Sequence, residues 1–277
     1  MTERTQHYLL TVFNVGLYAS ERADLSGRVV SETSEAWMAH RLELFDRYCF
    51  PSVVRQTCQD FTWLVFVDAD TPDYQRAVLG CYEAYPNLRI LSAPRGAVTK
   101  ERRVFGPEAI AAMAAPETDA VITSRLDNDD ALHRDYMALA RAEIPRRHRA
   151  MLAFPRGLCL DRTRLFVRHY PLNPFPSMIE RPDRSRPDLG LVTVWGGEHD
   201  KMAEFAREFR HLETGPMWLQ VVHERNLLNR PKGDEVPFCR QTLAPFLPET
   251  VLDDLEGAAG RIGAERPVGT ASQGSLP

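Results

Sequence analysis

The chain has 277 residues, 44% of them hydrophobic and 26% charged, with a formal net charge of −4. That is enough apolar material for a sizeable core, and the slight acidic balance excludes a general nucleic-acid binder, which would carry a basic excess. Five cysteines, at 49, 58, 81, 159 and 239, are odd in number and lack metal-knuckle spacing, so they read as small buried hydrophobes of a reducing compartment. The start, MTERTQHYLL, has no signal-peptide core, and nothing in the sequence approaches the ~18 apolar residues of a membrane span. A cytoplasmic protein is expected, with peripheral membrane association left open.

Residues 8–15 (YLLTVFNV) are rich in β-formers and predict a buried first strand. A polar loop follows over 16–34. Over 37–57 the residues Leu42, Leu44, Phe45, Tyr48 and Cys49 recur near helical spacing, and Pro51 predicts a break or a second helix start. The run 61–67 (FTWLVFV) is the strongest strand signal, and it ends in Asp68-Ala69-Asp70 with a Thr-Pro helix start behind it. Then come a helix over 74–85, a strand over 88–91, a helix over 107–115, a strand over 120–125 (AVITSR) and a helix over 135–143. This alternation implies βαβ units. The expected fold is α/β: one Rossmann-like domain over residues 1–254, with a mixed, mostly parallel central sheet and flanking helices.

The second half predicts short strands at 151–154, 157–160 and 165–170. A proline-rich stretch, 170–188, reads as a long surface loop, and with 198–200 as a mobile wall over an acceptor. Residues 191–195 and 217–222 predict strands and 201–209 a helix. Beyond Asp254 the chain turns Gly/Ala/Pro/Ser-rich, so 255–277 is expected to be a disordered tail.

The chemistry concentrates where strand AVITSR runs into Asp127-Asn128-Asp129-Asp130. Ligands of open parallel sheets bind beyond the carboxyl ends of the strands, and Asp68 and Asp70 occupy a second such end. Three aspartates within four residues repel one another and suit Mg²⁺ or Mn²⁺. A turn with a helix cap is the alternative for Asp130, and a cap on the helix at Pro72 for Asp68 and Asp70. Arg125 adjoins the cluster, either to meet a phosphate or to pair with a neighbouring aspartate. Lys100, Arg102 and Arg103 form a basic knot that is equally a solvated charge run.

The segment RLELFDRYCFPSVVRQTCQDFTWLVFVDAD, starting at Arg41, and SRLDNDDALHRDY, starting at Ser124, resemble the putative rhamnosyltransferase family, as do NPFPSMIE, TVWGGEH and WLQVVHERNLLN. The resemblance covers about residues 8–229. It implies a glycosyltransferase A fold with a DXD motif at Asp127-Asn128-Asp129. It further implies a divalent metal held by Asp129 and His223, a nucleotide-sugar donor met at Asp127, and a glycan or other hydroxyl acceptor; the places of Asp68 at a second carboxyl strand end and of Arg125 beside the cluster put them on the donor as well. Glu198 or Asp200, beyond the Gly196-Gly197 turn, is the expected base, with His199 behind them; capping a helix at Lys201 is their alternative. Trp195 and Trp218 either stack on a sugar or belong to the core. Two other readings stay open: another metal enzyme on a similar sheet, either a nucleotidyltransferase, which the lack of a Gly-rich loop after the first strand disfavours, or a phosphohydrolase, which would use the aspartates to activate water; and a non-catalytic sugar-binding module.

Overall fold

The computed structural model describes residues 3–15, 22–23, 29–30, 35–93, 105–143, 148–197, 201, 204–226 and 230–265. The apolar runs of the N-terminal half become β1 (Thr5–Val12), β4 (Thr62–Asp68), β5 (Leu88–Ala93) and β6 (Ala120–Arg125), mutually parallel in the order β5-β4-β1-β6. Short strands β2 (Arg22–Ala23) and β3 (Val29–Val30) pair with each other. Beyond β6 the seven-stranded sheet continues through β11 (Ser177–Glu180), β8 (Ala150–Ala153) and β12 (Glu208–His211). Only β11 runs against its neighbours. A second sheet of five strands has the order β14 (Asp234–Val236), β10 (Arg164–His169), β9 (Arg156–Asp161), β13 (Trp218–Val222), β7 (Ala131–Leu132). The expected mixed, mostly parallel α/β architecture is what forms.

Both faces of the first sheet are covered, as a parallel sheet requires. Trp63 and Val65 of β4 pack with Phe45, Cys49 and Val53 on one face, while Leu64 and Phe66 meet Ile110, Leu191 and Trp195 on the other. The first layer is α1 (Glu35–Leu44), a π-helical turn Phe45–Cys49, and α2 (Phe50–Val54). At Pro51 the second of the two expectations holds: α2 starts at Phe50 with the proline in its first turn, and the helical path runs on through it. Phe50 N–H reaches back five residues to the Phe45 carbonyl, and this widened turn accommodates a ring that lacks an N–H and would crowd a regular helix. The opposite layer holds α4 (Phe105–Met113). Helices α3 (Asp73–Gly80) and α5 (Tyr136–Ala142) follow β4 and β7, and α6 (Arg240–Leu243) leads to α7 (Glu249–Glu265).

Four expectations of the second half are corrected. The proline-rich stretch is not a mobile surface wall: its proline-free segment SMIE is β11, inserted between β6 and β8, and Phe175, Met178 and Ile179 are buried. Residues 191–195 form no strand; they make a buried turn held by the Glu180 carboxylate, which accepts from Val192 N (2.9 Å) and Thr193 N (2.8 Å), and by Thr123 Oγ1, which accepts from Val194 N (3.0 Å). Thr193 has φ 62° there, a conformation that a β-branched residue adopts only under constraint from its surroundings. In place of a helix over 201–209, the described residues end in the edge strand β12. The tail is not disordered from 255: α7 runs on to Glu265, because Val251, Leu252 and Leu255 form a stripe that packs against Leu219 and Val221 of the second sheet. All five cysteines are free, with Cys49 and Cys159 buried and Cys81 exposed.

A polar chain crosses the centre of the first sheet. His7 Nε2 contacts Ser124 Oγ at 2.7 Å, Ser124 Oγ contacts Ser177 Oγ at 2.6 Å, and Tyr136 Oη meets Ser177 Oγ at 3.1 Å while donating to the Phe175 carbonyl at 2.7 Å. It ties the antiparallel strand to its neighbours. Burial, with the Arg141 charge in support, lowers His7 from its ordinary 6.5 to about 3. The unfolded chain therefore takes up a proton below pH 6.5 that the folded chain refuses until about pH 3, so stability is full above that window and declines on acidification by at most about 1.4 kcal/mol per pH unit. Urea unfolding at pH 7.5 and 5.0 should show wild type losing about 2 kcal/mol more than His7→Gln. Equal losses in the two proteins would contradict the buried, neutral imidazole.

Candidate functional site

The acidic turn is the passage from one sheet to the other. After β6, Leu126 N–H donates to the Leu10 carbonyl (3.1 Å), the turn closes through Asp130 N–H to the Asp127 carbonyl (3.3 Å), and the chain enters β7. Asn128 is buried and locks this geometry: its Nδ2 donates to the Phe13 carbonyl at 2.6 Å, and its Oδ1 accepts from Arg41 Nη1 at 3.0 Å. Asp130 is no helix cap. Its Oδ1 accepts from Val221 N at 2.8 Å, which fastens the turn to β13, while its buried Oδ2 has no partner among the described residues. Burial, reinforced by the charges of Asp129 and Asp127, raises the Asp130 carboxyl well above the usual range, and the neutral acid is the form that the interior tolerates.

Asp129 has the opposite character. Its Oδ2 lies 2.5 Å from Arg41 Nη1 and 3.0 Å from His223 Nε2, with Asn226 Nδ2 at 3.4 Å. Burial would raise this carboxyl, but the Arg41 guanidinium and the His223 contact outweigh it and hold Asp129 well below the ordinary carboxylate range. His223 Nε2 also lies 3.0 Å from Asn226 Nδ2, and its Nδ1 faces His40 Nε2, 3.2 Å away. Asn226 Oδ1 also accepts from His223 N at 2.7 Å and fixes the end of β13. Helix α1 thus supplies His40 and Arg41, β13 leads into His223, and the turn supplies Asp129. The π-helical turn backs the cluster: the Cys49 thiol is pushed well up, by burial first and then by the charge of Asp129.

Asp127 points outward, with 35% of its side chain exposed, and accepts three hydrogen bonds of 3.0–3.1 Å from Arg125. This is the neighbouring ion pair that the sequence offered as one alternative for Arg125. Asp68 ends β4 on the same carboxyl edge, but its contacts run to the crevice between β1 and β4: its N–H donates to Asn14 Oδ1 (3.0 Å), and its Oδ1 accepts from Asp70 N (2.9 Å). Neither Asp68 nor Asp70 caps the following helix, whose cap position is Pro72 without a side-chain bond. Trp195 and Trp218 are core residues, against Phe66 and Phe175 respectively. Glu198, His199 and Asp200, as well as Lys100, Arg102 and Arg103, lie outside the described residues.

Sequence reasoning missed Arg41, His40 and Asn226 as members of this cluster. Arg41 and Asn226 stand inside the very strings that carry the family resemblance. Nothing in a helical stretch, however, says that one of its arginines will face a turn nearly ninety residues away.

The donor set can be tested against the expected Mn²⁺ or Mg²⁺. The Asp129 oxygen facing His223 is already shared with a guanidinium, and both Asp127 oxygens accept from Arg125. Among the described residues no group of three His, Cys, Asp or Glu side chains is placed to hold an ion. As they stand, these residues do not form a divalent-cation cage.

Asn128 is the structural pivot of the turn. Asn128→Ala strands the Phe13 carbonyl and one Arg41 N–H, and should lower stability by about 1–3 kcal/mol, the scale of leaving buried polar groups unpaired. Urea denaturation measures it, and an unchanged midpoint would show that the bridge does not support the turn.

A family model described as "Putative rhamnosyl transferase" matches residues 8–235. Comparison with curated proteins gave no match. Among solved structures the chain is similar to 4-diphosphocytidyl-2C-methyl-D-erythritol synthase from Anaerococcus prevotii DSM 20548, at 12% identity, over 94% of this chain and 96% of that one, with a TM-score of 0.33, a likeness too distant to bear on chemistry. The family match runs from the first strand of the parallel sheet through the acidic turn to the last strand of the second sheet: the chain belongs to the rhamnosyl transferase family so described and is a glycosyltransferase.

Proposed function

We propose that the chain moves a sugar, with rhamnose the first to test, from a nucleotide-sugar donor to a hydroxyl acceptor such as a glycan. The observation that carries this reading is the Arg125–Asp127 pair at the carboxyl edge of the parallel strands, where ligands of open α/β sheets bind. Within the acidic turn Asn128, Asp129 and Asp130 are buried, so the half-exposed Asp127 is the carboxylate that an incoming ligand meets. A carboxylate suits the ribose hydroxyls, and the guanidinium beside it suits a diphosphate oxygen.

Breaking the bond between sugar and phosphate leaves charge on the nucleoside diphosphate, and fixed cationic donors that face that charge lower the barrier. The acceptor hydroxyl must give up a proton. Glu198 and Asp200 remain the proposed base, because they follow directly on a segment pinned to the sheet by Glu180 and Thr123.

Calorimetry with a panel of nucleoside diphosphates and nucleotide sugars tests the donor side. One or more should bind wild type, and Asp127→Asn should bind it about tenfold or more weakly, the scale of losing one charge-assisted contact. If no member of the panel binds, the donor reading fails. On the acceptor side, Glu198→Gln and Asp200→Asn are to be measured separately. The variant that removes the base should retain donor affinity and lose transfer by ~10²-fold or more, and wild-type rates in both would place the base elsewhere.

A further inference from the structure

We infer that Arg41 fills the place of a divalent cation at Asp129, so that the chain without nucleotide has no divalent-cation site at its DXD turn. Three observations carry this. The Arg41 Nη1 atom is 2.5 Å from Asp129 Oδ2, the same oxygen that His223 reaches at 3.0 Å. A Mg²⁺ or Mn²⁺ ion bridging Asp129 and His223 would need to lie on the order of 2 Å from that oxygen, in space that the guanidinium already occupies. The two cations would also repel each other at close range in a site with little water, since the Arg41 side chain is only 12% exposed and that of Asp129 only 8%.

The arginine is built in rather than resting there. Its Nη1 is shared with Asn128 Oδ1 at 3.0 Å, its Cζ lies over the Trp37 ring 5.1 Å from the ring centre, and its helix is continuous with the π-helical turn behind the cluster. Arg41 therefore stays on Asp129 as a fixed internal counter-ion. Charge counting agrees. Asp127 is matched by Arg125 and Asp129 by Arg41, so neither of these carboxylates is left without a counter-charge. The inference concerns the bare protein and does not depend on which sugar or nucleotide the enzyme uses.

The test is Mn²⁺ titration of the full chain, followed by electron paramagnetic resonance, without nucleotide. Wild type and Arg41→Lys, which keeps the positive charge, should show no saturable binding up to about 1 mM, the weak end of protein divalent sites. Arg41→Gln should bind Mn²⁺ at least about tenfold more tightly than wild type, and Arg41→Gln combined with Asp129→Asn should lose that binding again. Circular dichroism checks that each variant is folded. Should Arg41→Gln fail to fold, the wild-type titration still decides, because tight Mn²⁺ binding by wild type that is abolished by Asp129→Asn overturns the inference. So does a folded Arg41→Gln that binds no better than wild type. A chain that binds no nucleoside diphosphate at all would sink the donor reading and leave this result standing.

Discussion

Three carboxyl groups cannot occupy one mostly buried turn unless each negative charge is answered, and much of the site's architecture follows from how that is done. The answers differ in kind. Asp127 meets a guanidinium from the preceding strand and stays half exposed. Asp129 is ionised and enclosed by Arg41, His223 and Asn226. Asp130 avoids the charge altogether and uses one oxygen to accept a backbone N–H. One short run of like residues is thereby split into a surface ion pair, a buried ion pair and a neutral acid, because desolvation and neighbouring charge act on each position in a different proportion.

These partners come from distant parts of the chain, and for that reason the turn organises the fold around it. Asn128 holds β1, Asp129 holds α1 and the end of β13, and Asp130 holds β13 itself. The acidic residues therefore fasten the two sheets together as well as shaping the site. The π-helical turn serves the same end. It joins α1 to α2, where Pro51 lies, so that Arg41 at one end and the apolar residues packed on Trp63 and Val65 at the other lie along one continuous helical path.

The legible parts of the sequence were those where one signal had one cause. FTWLVFV and AVITSR are unbroken apolar runs, and a strand buried on both faces is the structure that they satisfy. The acidic turn stood out because it followed such a strand. The pairing of His223 with Asp129 was reached only through the family resemblance, since WLQVV announces a strand end but not which sheet the strand joins. Elsewhere opposing signals misled. Proline density hid SMIE, although the prolines only flank it. The composition of LVTVW favours a strand, yet buried acceptors from Glu180 and Thr123 capture its N–H groups and bend Thr193 out of the extended region. The charged EFRH is tolerable as a strand because it lies at a sheet edge. The Gly/Ala-rich end looked unstructured, but three spaced aliphatic residues are enough to dock a helix on a sheet.

The antiparallel strand β11 of the first sheet has a consequence for the order of assembly. β8 joins the first sheet only through β11, and β12 only through β8. The pairing of β11 with β6 spans 53 residues between Ser124 and Ser177. During synthesis β5, β4, β1 and β6 can close on one another while β6 still presents an open, apolar edge, and β8 emerges with nothing to pair against. Loop closure of that length has to precede the contacts that reward it, and an unpaired edge is a template for other chains meanwhile. The hydroxyl chain through Ser124, Ser177 and Tyr136 lies at the seam where β11 must dock, which makes that seam the gate through which the nascent chain completes its sheet.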